Sequence, residues 1–425
     1  MDYQLIILIA MLAMFVLGVI KLKLPAGVSL MLAGVVGALV GGEGLPLRHL
    51  VEGAFGFFEP ILIIAVGMIF MELLKSRGVL ASISVGSLKA FHRFPTLLII
   101  ALAVFVMFPG TMTGLATMSI LTTGALALPL LIAMGMPKLS AGSLVVMLSV
   151  CGEVAPPICV PAMIIGGGVD MPYIGLAKPL FLASFPIAII LSLVYRFKYL
   201  GRVDLDEITR KLEFGEEKLQ SRLDFIPLVF VIVYMVGETM LHGYFIHLGI
   251  PLIFAIGILM IVGISIFTGG GVSIFKVSGA GMKKAMPVMA ILAGVGIFLE
   301  ILTLTGVRGY LTVNALFLPD ALKYSIAMMM PFLGSAYGSA SIIGVPLLYV
   351  FIGKNELVVT SGLVLMASLG DLMPPPSLLC SYAAQMLKEK NHFKILRRSL
   401  WPIIFALIFG LLILIFATQI ANIIL

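Results

Sequence analysis

Gly152-Glu153-Val154-Ala155-Pro156-Pro157 places one carboxylate and two prolines inside an otherwise apolar segment. The pattern recurs once, as Gly370-Asp371-Leu372-Met373-Pro374-Pro375. About a dozen or more uncharged residues flank each copy, so in a membrane-crossing segment the interruption falls near mid-bilayer. There a proline removes a backbone donor and ends the helix, and lipid supplies no water for the freed carbonyls. Such an interruption persists only where it lines a protein cavity. A twice-used, acid-bearing helix break is therefore a candidate binding site.

The surrounding composition is that of a polytopic membrane protein: of 425 residues, 61% are hydrophobic and 11% charged. The first apolar stretch has no basic residue before it and no small-residue cleavage site after it, so it reads as a retained span rather than a cleaved signal. The net charge of +7 resides in short loops between apolar segments, where basic residues orient a chain in the membrane. No nucleic-acid partner is implied. Cys151, Cys159 and Cys380 lie in apolar segments without metal-ligand spacing, and His49, His92, His242, His247 and His392 fall at span ends. Neither a cofactor nor a transition metal is expected.

Span lengths of about twenty residues and the positive-inside rule then set a topology. Residues 4–20, 25–42 and 57–74 cross, and 79–93 form an amphipathic arm on the inner surface. Two apolar runs, 94–109 and 118–136, are separated by a Gly/Thr-rich stretch; reading them as one re-entrant hairpin keeps the polar segment 196–224 cytoplasmic. That segment carries seven basic and seven acidic residues and reads as a linker. Residues 139–169 form the first broken helix and 172–195 return. After the linker, 224–241 and 245–267 cross, Lys276, Lys283 and Lys284 mark the cytoplasmic side, and 285–303 cross again. An arm near 306–320, a hairpin at 321–353, a broken helix at 357–387 and a last span at 400–425 complete the chain, with both termini outside.

The expected fold is thus an all-α polytopic membrane protein of two inverted repeats, residues 1–195 and 225–425, the arrangement of many secondary transporters. Similarity between the halves supports it. Ile69-Phe70-Met71-Glu72-Leu73-Leu74 matches Ile297-Phe298-Leu299-Glu300-Ile301-Leu302, and both hairpin tips contain Gly-x-x-x-Gly-x-Ala, starting at Gly110 and Gly334.

Free N–H groups where a half-helix begins attract an anion, and free carbonyls where one ends attract a cation. Each tip placed against its own break would make two related cation sites beside a central anion pocket. The ion-binding candidates are Gly110, Thr111, Gly152, Glu153 and Pro156 in the first half, and Gly334, Ser335, Gly338, Gly370, Asp371 and Pro374 in the second. Thr113, Thr117, Ser339 and Ser341 are the substrate-binding candidates, because hydroxyls both donate and accept. Small residues also serve plain helix packing in membranes, and Glu72 and Glu300, near span ends, are assigned a structural role. Two buried acids could instead be the dyad of an intramembrane aspartyl protease. However, Ser368-Leu369-Gly370-Asp371 lacks the first glycine of the Gly-x-Gly-Asp signature.

Thr113-Gly114-Leu115-Ala116-Thr117, the helix from Gly124 to Pro129, Met136 through Ser140-Ala141-Gly142, and the Pro156-Pro157 break resemble the first hairpin and broken helix of the large permease subunit of TRAP transporters, DctM type. The resemblance implies an elevator-type fold of the ion transporter superfamily in the cytoplasmic (inner) membrane. It also implies sodium-coupled uptake of a small organic anion such as a carboxylate, a small membrane permease subunit and an extracytoplasmic substrate-binding protein. Ile158 follows Pro-Pro where the family commonly has serine, so a stand-alone organic-acid symporter of the same superfamily is the alternative.

Overall fold

Helix ends follow the glycines and prolines of the sequence. Gly78, Gly114 and Gly334 adopt left-handed backbone, at φ 77°, 68° and 69°, a conformation that costs glycine little and closes or opens a helix. The computed structural model describes residues 2–200, 221–240, 246, 248–268, 273–351, 353–374 and 377–425. Most of the 196–224 linker, His242, His247 and Pro375 lie outside the described residues. Among the described residues there is no strand, and seven helices are long and apolar enough to cross a membrane, or up to eight if one bent pair counts as a span. The protein is an all-helical, multi-pass membrane protein.

The first half contains α1 (Tyr3–Ile20), α2 (Ala26–Val40), α3 (Leu47–Phe55), α4 (Phe58–Ser76) and the arm α5 (Val79–Phe91). A hairpin follows, made of α6 (Pro95–Thr113), the short α7 (Ala116–Ser119), a π-helical turn at Ile120–Gly124 and α8 (Ala125–Ala133). Then come α9 (Lys138–Val154), α10 (Val160–Gly168) and α11 (Ala177–Tyr199). The second half has α12 (Phe225–Met240), α13 (Ile250–Thr268), α14 (Ile274–Leu304) and the arm α15 (Val307–Leu316). Its hairpin is α16 (Asp320–Met329), a 3-10 turn at Met330–Leu333, α17 (Ala336–Ser339), a π-helical turn at Ala340–Gly344 and α18 (Val345–Val350). The chain ends with α19 (Glu356–Ser368), a 3-10 turn at Leu369–Leu372, α20 (Leu378–Met386), α21 (Phe393–Ile415) and α22 (Ala417–Ile424).

These helices pack in two groups. In one, α14 lies along α2, α3 and α4, with α1 on α2 and α13 on α4. Glycines let the backbones close up: a Cβ at Gly53 would sit 2.8 Å from the Gly296 carbonyl. In the other group, α9 packs on α6, α11 and α21, and α19 on α10, α11 and α21. The arms join the groups, α5 touching α4 and α6, and α15 touching α1, α14 and α18.

Two readings of the sequence are corrected here. The hairpin repeat runs in a different register: Gly114, the left-handed cap of α6, corresponds to Gly334, and Ala116–Ser119 corresponds to Ala336–Ser339. The shared Gly-x-x-x-Gly-x-Ala pattern aligned Gly110 with Gly334, four residues away, because it matched glycines without regard to which one turns the chain. Lys284, in turn, does not sit at a loop. α14 begins at Ile274, ten residues earlier, since no proline lies between Ile274 and Lys284 and Gly279 and Gly281 keep helical backbone there.

Candidate functional site

Both breaks follow from the spacing of acid and proline. In an α-helix the carbonyls of Gly152 and Glu153 would accept from the N–H groups four residues on, which belong to Pro156 and Pro157, and neither exists. The same offsets set Pro374 and Pro375 against Gly370 and Asp371. At the first break Ala155 is extended (ψ 143°), and the Ile158 N–H donates to the Thr111 carbonyl of the hairpin tip at 3.2 Å. The Tyr173 hydroxyl accepts from the Cys159 N–H at 2.8 Å and donates to the Pro157 carbonyl at 3.1 Å. At the second break Ser377 takes a left-handed conformation (φ 55°) and donates from Oγ to the Leu372 carbonyl at 2.9 Å.

Each tip lies on its own break. A Cβ at Gly110 would lie 2.7 Å from the Gly152 carbonyl carbon, and one at Gly152 would lie 2.6 Å from the Met107 carbonyl oxygen. Likewise a Cβ at Gly370 would lie 3.0 Å from the backbone of Ser335. Asp371 Oδ1 accepts from the N–H of Ala336, the first residue of α17, at 2.9 Å. Glu153 faces the corresponding Ala116 N–H, the Tyr337 and Ser368 hydroxyls and Asp371. Yet both Glu153 oxygens and Ser368 Oγ are buried without a hydrogen-bond partner. An ionised carboxylate in that state is costly, so this cluster of oxygens suits a small cation or a proton.

A cavity of about 340 Å³ opens between the two helix groups. Asp371, Gly334, Ser335 and Tyr337 line it from the second tip and break, Thr117 from the first tip, and Lys284 from α14. Thr117 and Tyr337 occupy matching positions, the second residue of α7 and of α17.

The remaining predicted residues shape the hairpins. Thr111 and Thr113 donate to the Phe108 and Pro109 carbonyls, each at 2.7 Å. Ser339 donates to Met330 and Ser335 carbonyls at 2.7 Å, and Ser341 to Gly338 at 3.1 Å. Of the four substrate candidates, Thr117 borders the cavity, while Thr113, Ser339 and Ser341 are fully buried. Gly338 donates its N–H to Ser335 Oγ at 3.3 Å. Pro156 is half-buried and Pro374 exposed at their breaks.

Sequence reasoning missed Ser119, whose Oγ accepts from the Gly110 N–H at 2.8 Å; aligning Ala116 with Ala336 would have paired it with Ser339. It also missed Tyr337, Ser368, Lys284 and Tyr173, and for the last no local pattern exists. Away from the cavity, His49, Glu52 and Glu300 bring ligand atoms within 4.8 Å of one another. There His49 Nδ1 is 3.0 Å from Glu300 Oε1 and Arg48 holds Glu52 at 2.7 Å, so a partly exposed hydrogen-bonded network accounts for the cluster.

No protein-family profile matches the chain, and no curated protein matches it. Among solved structures, the fold is similar to the Alcanivorax borkumensis YdaH transporter, whose crystal structure reveals an unusual topology. The TM-score is 0.58 at 14% sequence identity, over 87% of this chain and 88% of that one. At that identity the likeness is one of fold.

Proposed function

We propose that this chain is a sodium-coupled secondary transporter of a small organic anion such as a carboxylate, built from two inverted repeats and working by an elevator motion. The observation that carries the reading is the meeting of both acid-bearing breaks and both hairpin tips at one cluster, beside a cavity on the seam between two helix groups. Asp371 lines that cavity, so an entering anion meets a like charge. A cation held by Glu153 and Asp371 removes the repulsion, and the two ligands then favour each other's binding reciprocally.

Hydrogen bonds between helix ends support the inverted arrangement. Tyr3 to Val40, Tyr310 to Asp2, and Lys178 to Ile424 join ends assigned to the outside. Arg77 to Asp224 and Thr268, and Arg398 to Ser140, join ends assigned to the cytoplasm. The tips, breaks, α11 and α21 form the moving group in this reading, α2–α4 and α14 the fixed one, and α5 and α15 the connecting arms.

The finer assignment, the large permease subunit of a TRAP-type system, rests on the family resemblance. It adds a small membrane subunit and an extracytoplasmic binding protein as partners; a stand-alone symporter needs neither. The test is uptake of labelled small carboxylates, succinate first, into liposomes holding the purified chain under an inward sodium gradient. Accumulation that collapses with the gradient supports the reading. Uptake undiminished with both sodium and proton gradients collapsed overturns secondary transport.

A further inference from the structure

We propose that Lys284 is the anion-recognising residue of the cavity and that Glu72 holds its charge in place until an anion arrives. The inference rests on the transport reading above and names the group that meets the negative end of the substrate. Lys284 is the one basic side chain among the described residues lining the cavity, and Asp371 the one acidic. They approach from opposite sides, Asp371 from the second break and Lys284 from α14.

Lys284 Nζ lies 2.6 Å from Glu72 Oε2 on α4, with side-chain exposures of 38% and 14%. Neither partner is fully buried, so the bond is modest and solvent can stand in for it during an exchange. A lysine carries three donors on a flexible four-carbon stem. Its ammonium can therefore turn from Glu72 toward a carboxylate in the cavity without moving the helix. α4 and α14 pack against each other in the group opposite the hairpins. The positive charge thus belongs to the fixed side of the seam, and it meets the anion only while the hairpin group holds the cavity against α14. Such state-dependent contact is what lets a ligand shift one conformation over another.

The test needs no knowledge of the substrate. Val288, one helical turn from Lys284, also lines the cavity, and the native thiols are buried. In Val288→Cys protein in liposomes, the modification rates by an anionic sulfonatoethyl and a cationic trimethylammonium-ethyl methanethiosulfonate are compared. Adding Lys284→Gln should lower the anionic-to-cationic rate ratio about fivefold or more, the effect of removing one unit charge at short range. Lys284→Arg should preserve the ratio and Glu72→Gln should raise it. An unchanged ratio in the Lys284→Gln protein overturns the proposal, as does a Val288→Cys thiol that neither reagent reaches. Loss of sodium-driven uptake with intact charge selection would instead remove the transport reading and leave Lys284 as an anion site.

Discussion

The Ala336 N–H donates to Asp371 Oδ1 at 2.9 Å, whereas Glu153, at the corresponding place in the other break, has two buried and unpartnered oxygens. The two acids are therefore unequal. Asp371→Ala strips the Ala336 amide of its acceptor, and a buried unsatisfied group costs about 1–3 kcal/mol. Glu153→Gln replaces an unpartnered carboxylate with a neutral amide that buries more cheaply. In thermal denaturation of the purified protein, the first variant should melt lower than wild type and the second at or above it.

Gly110→Ala and Gly152→Ala each push a methyl into backbone at 2.6–2.7 Å. Overpacking of this kind costs about 1–3 kcal/mol, and the yield of folded protein should fall. Gly86 and Gly263 sit within helices, and a Cβ added at either would meet nothing within 4 Å. There alanine should be neutral or should stabilise by about 1 kcal/mol. Melting temperatures of the four variants check the contrast.

Much of the fold was legible because bilayer physics constrains sequence strongly. Glu153 and Asp371 in apolar segments, each followed by Pro-Pro, marked the breaks, and the Gly/Ser/Thr tips marked the hairpins. The register of the repeat was not legible, since Gly110, Gly114, Gly334 and Gly338 look alike until backbone angles show that Gly114 and Gly334 turn the chain. Lys284 was read only as a charge marking the cytoplasmic side, because positive charge near a span end ordinarily does so, and its place on the cavity shows only once α14 is seen to begin at Ile274. Contacts far apart in sequence, such as Tyr173 against the first break, leave no local signal.

Tyr173→Phe removes the hydroxyl that accepts from Cys159 and donates to Pro157, leaving two break groups unpaired. The variant should lose about 1–3 kcal/mol of stability. Hydrogen exchange of the Cys159 amide should speed up relative to wild type, and unchanged exchange would show that another group takes the place of the hydroxyl.

Arg77 and Asp224 are 1% and 2% exposed and joined at 2.7 Å, and Arg77 also donates to Thr268 at 2.9 Å. Breaking a buried pair by removing one partner costs about 3–5 kcal/mol, because the other charge stays buried and unpaired. Arg77→Met should therefore reduce stability severely. Arg77→Met combined with Asp224→Leu should recover a large part of it in the same melting assay.

If the oxygens around Glu153 hold the coupling cation, sodium must stabilise the folded protein through them. Purified protein is melted in sodium chloride and in choline chloride at equal ionic strength. Wild type should gain about 1.4 kcal/mol when sodium is ten times its dissociation constant, and Glu153→Gln should gain nothing while melting normally in choline. Equal melting of the wild type in both salts, or a full sodium gain in Glu153→Gln, would show that Glu153 holds no coupling sodium.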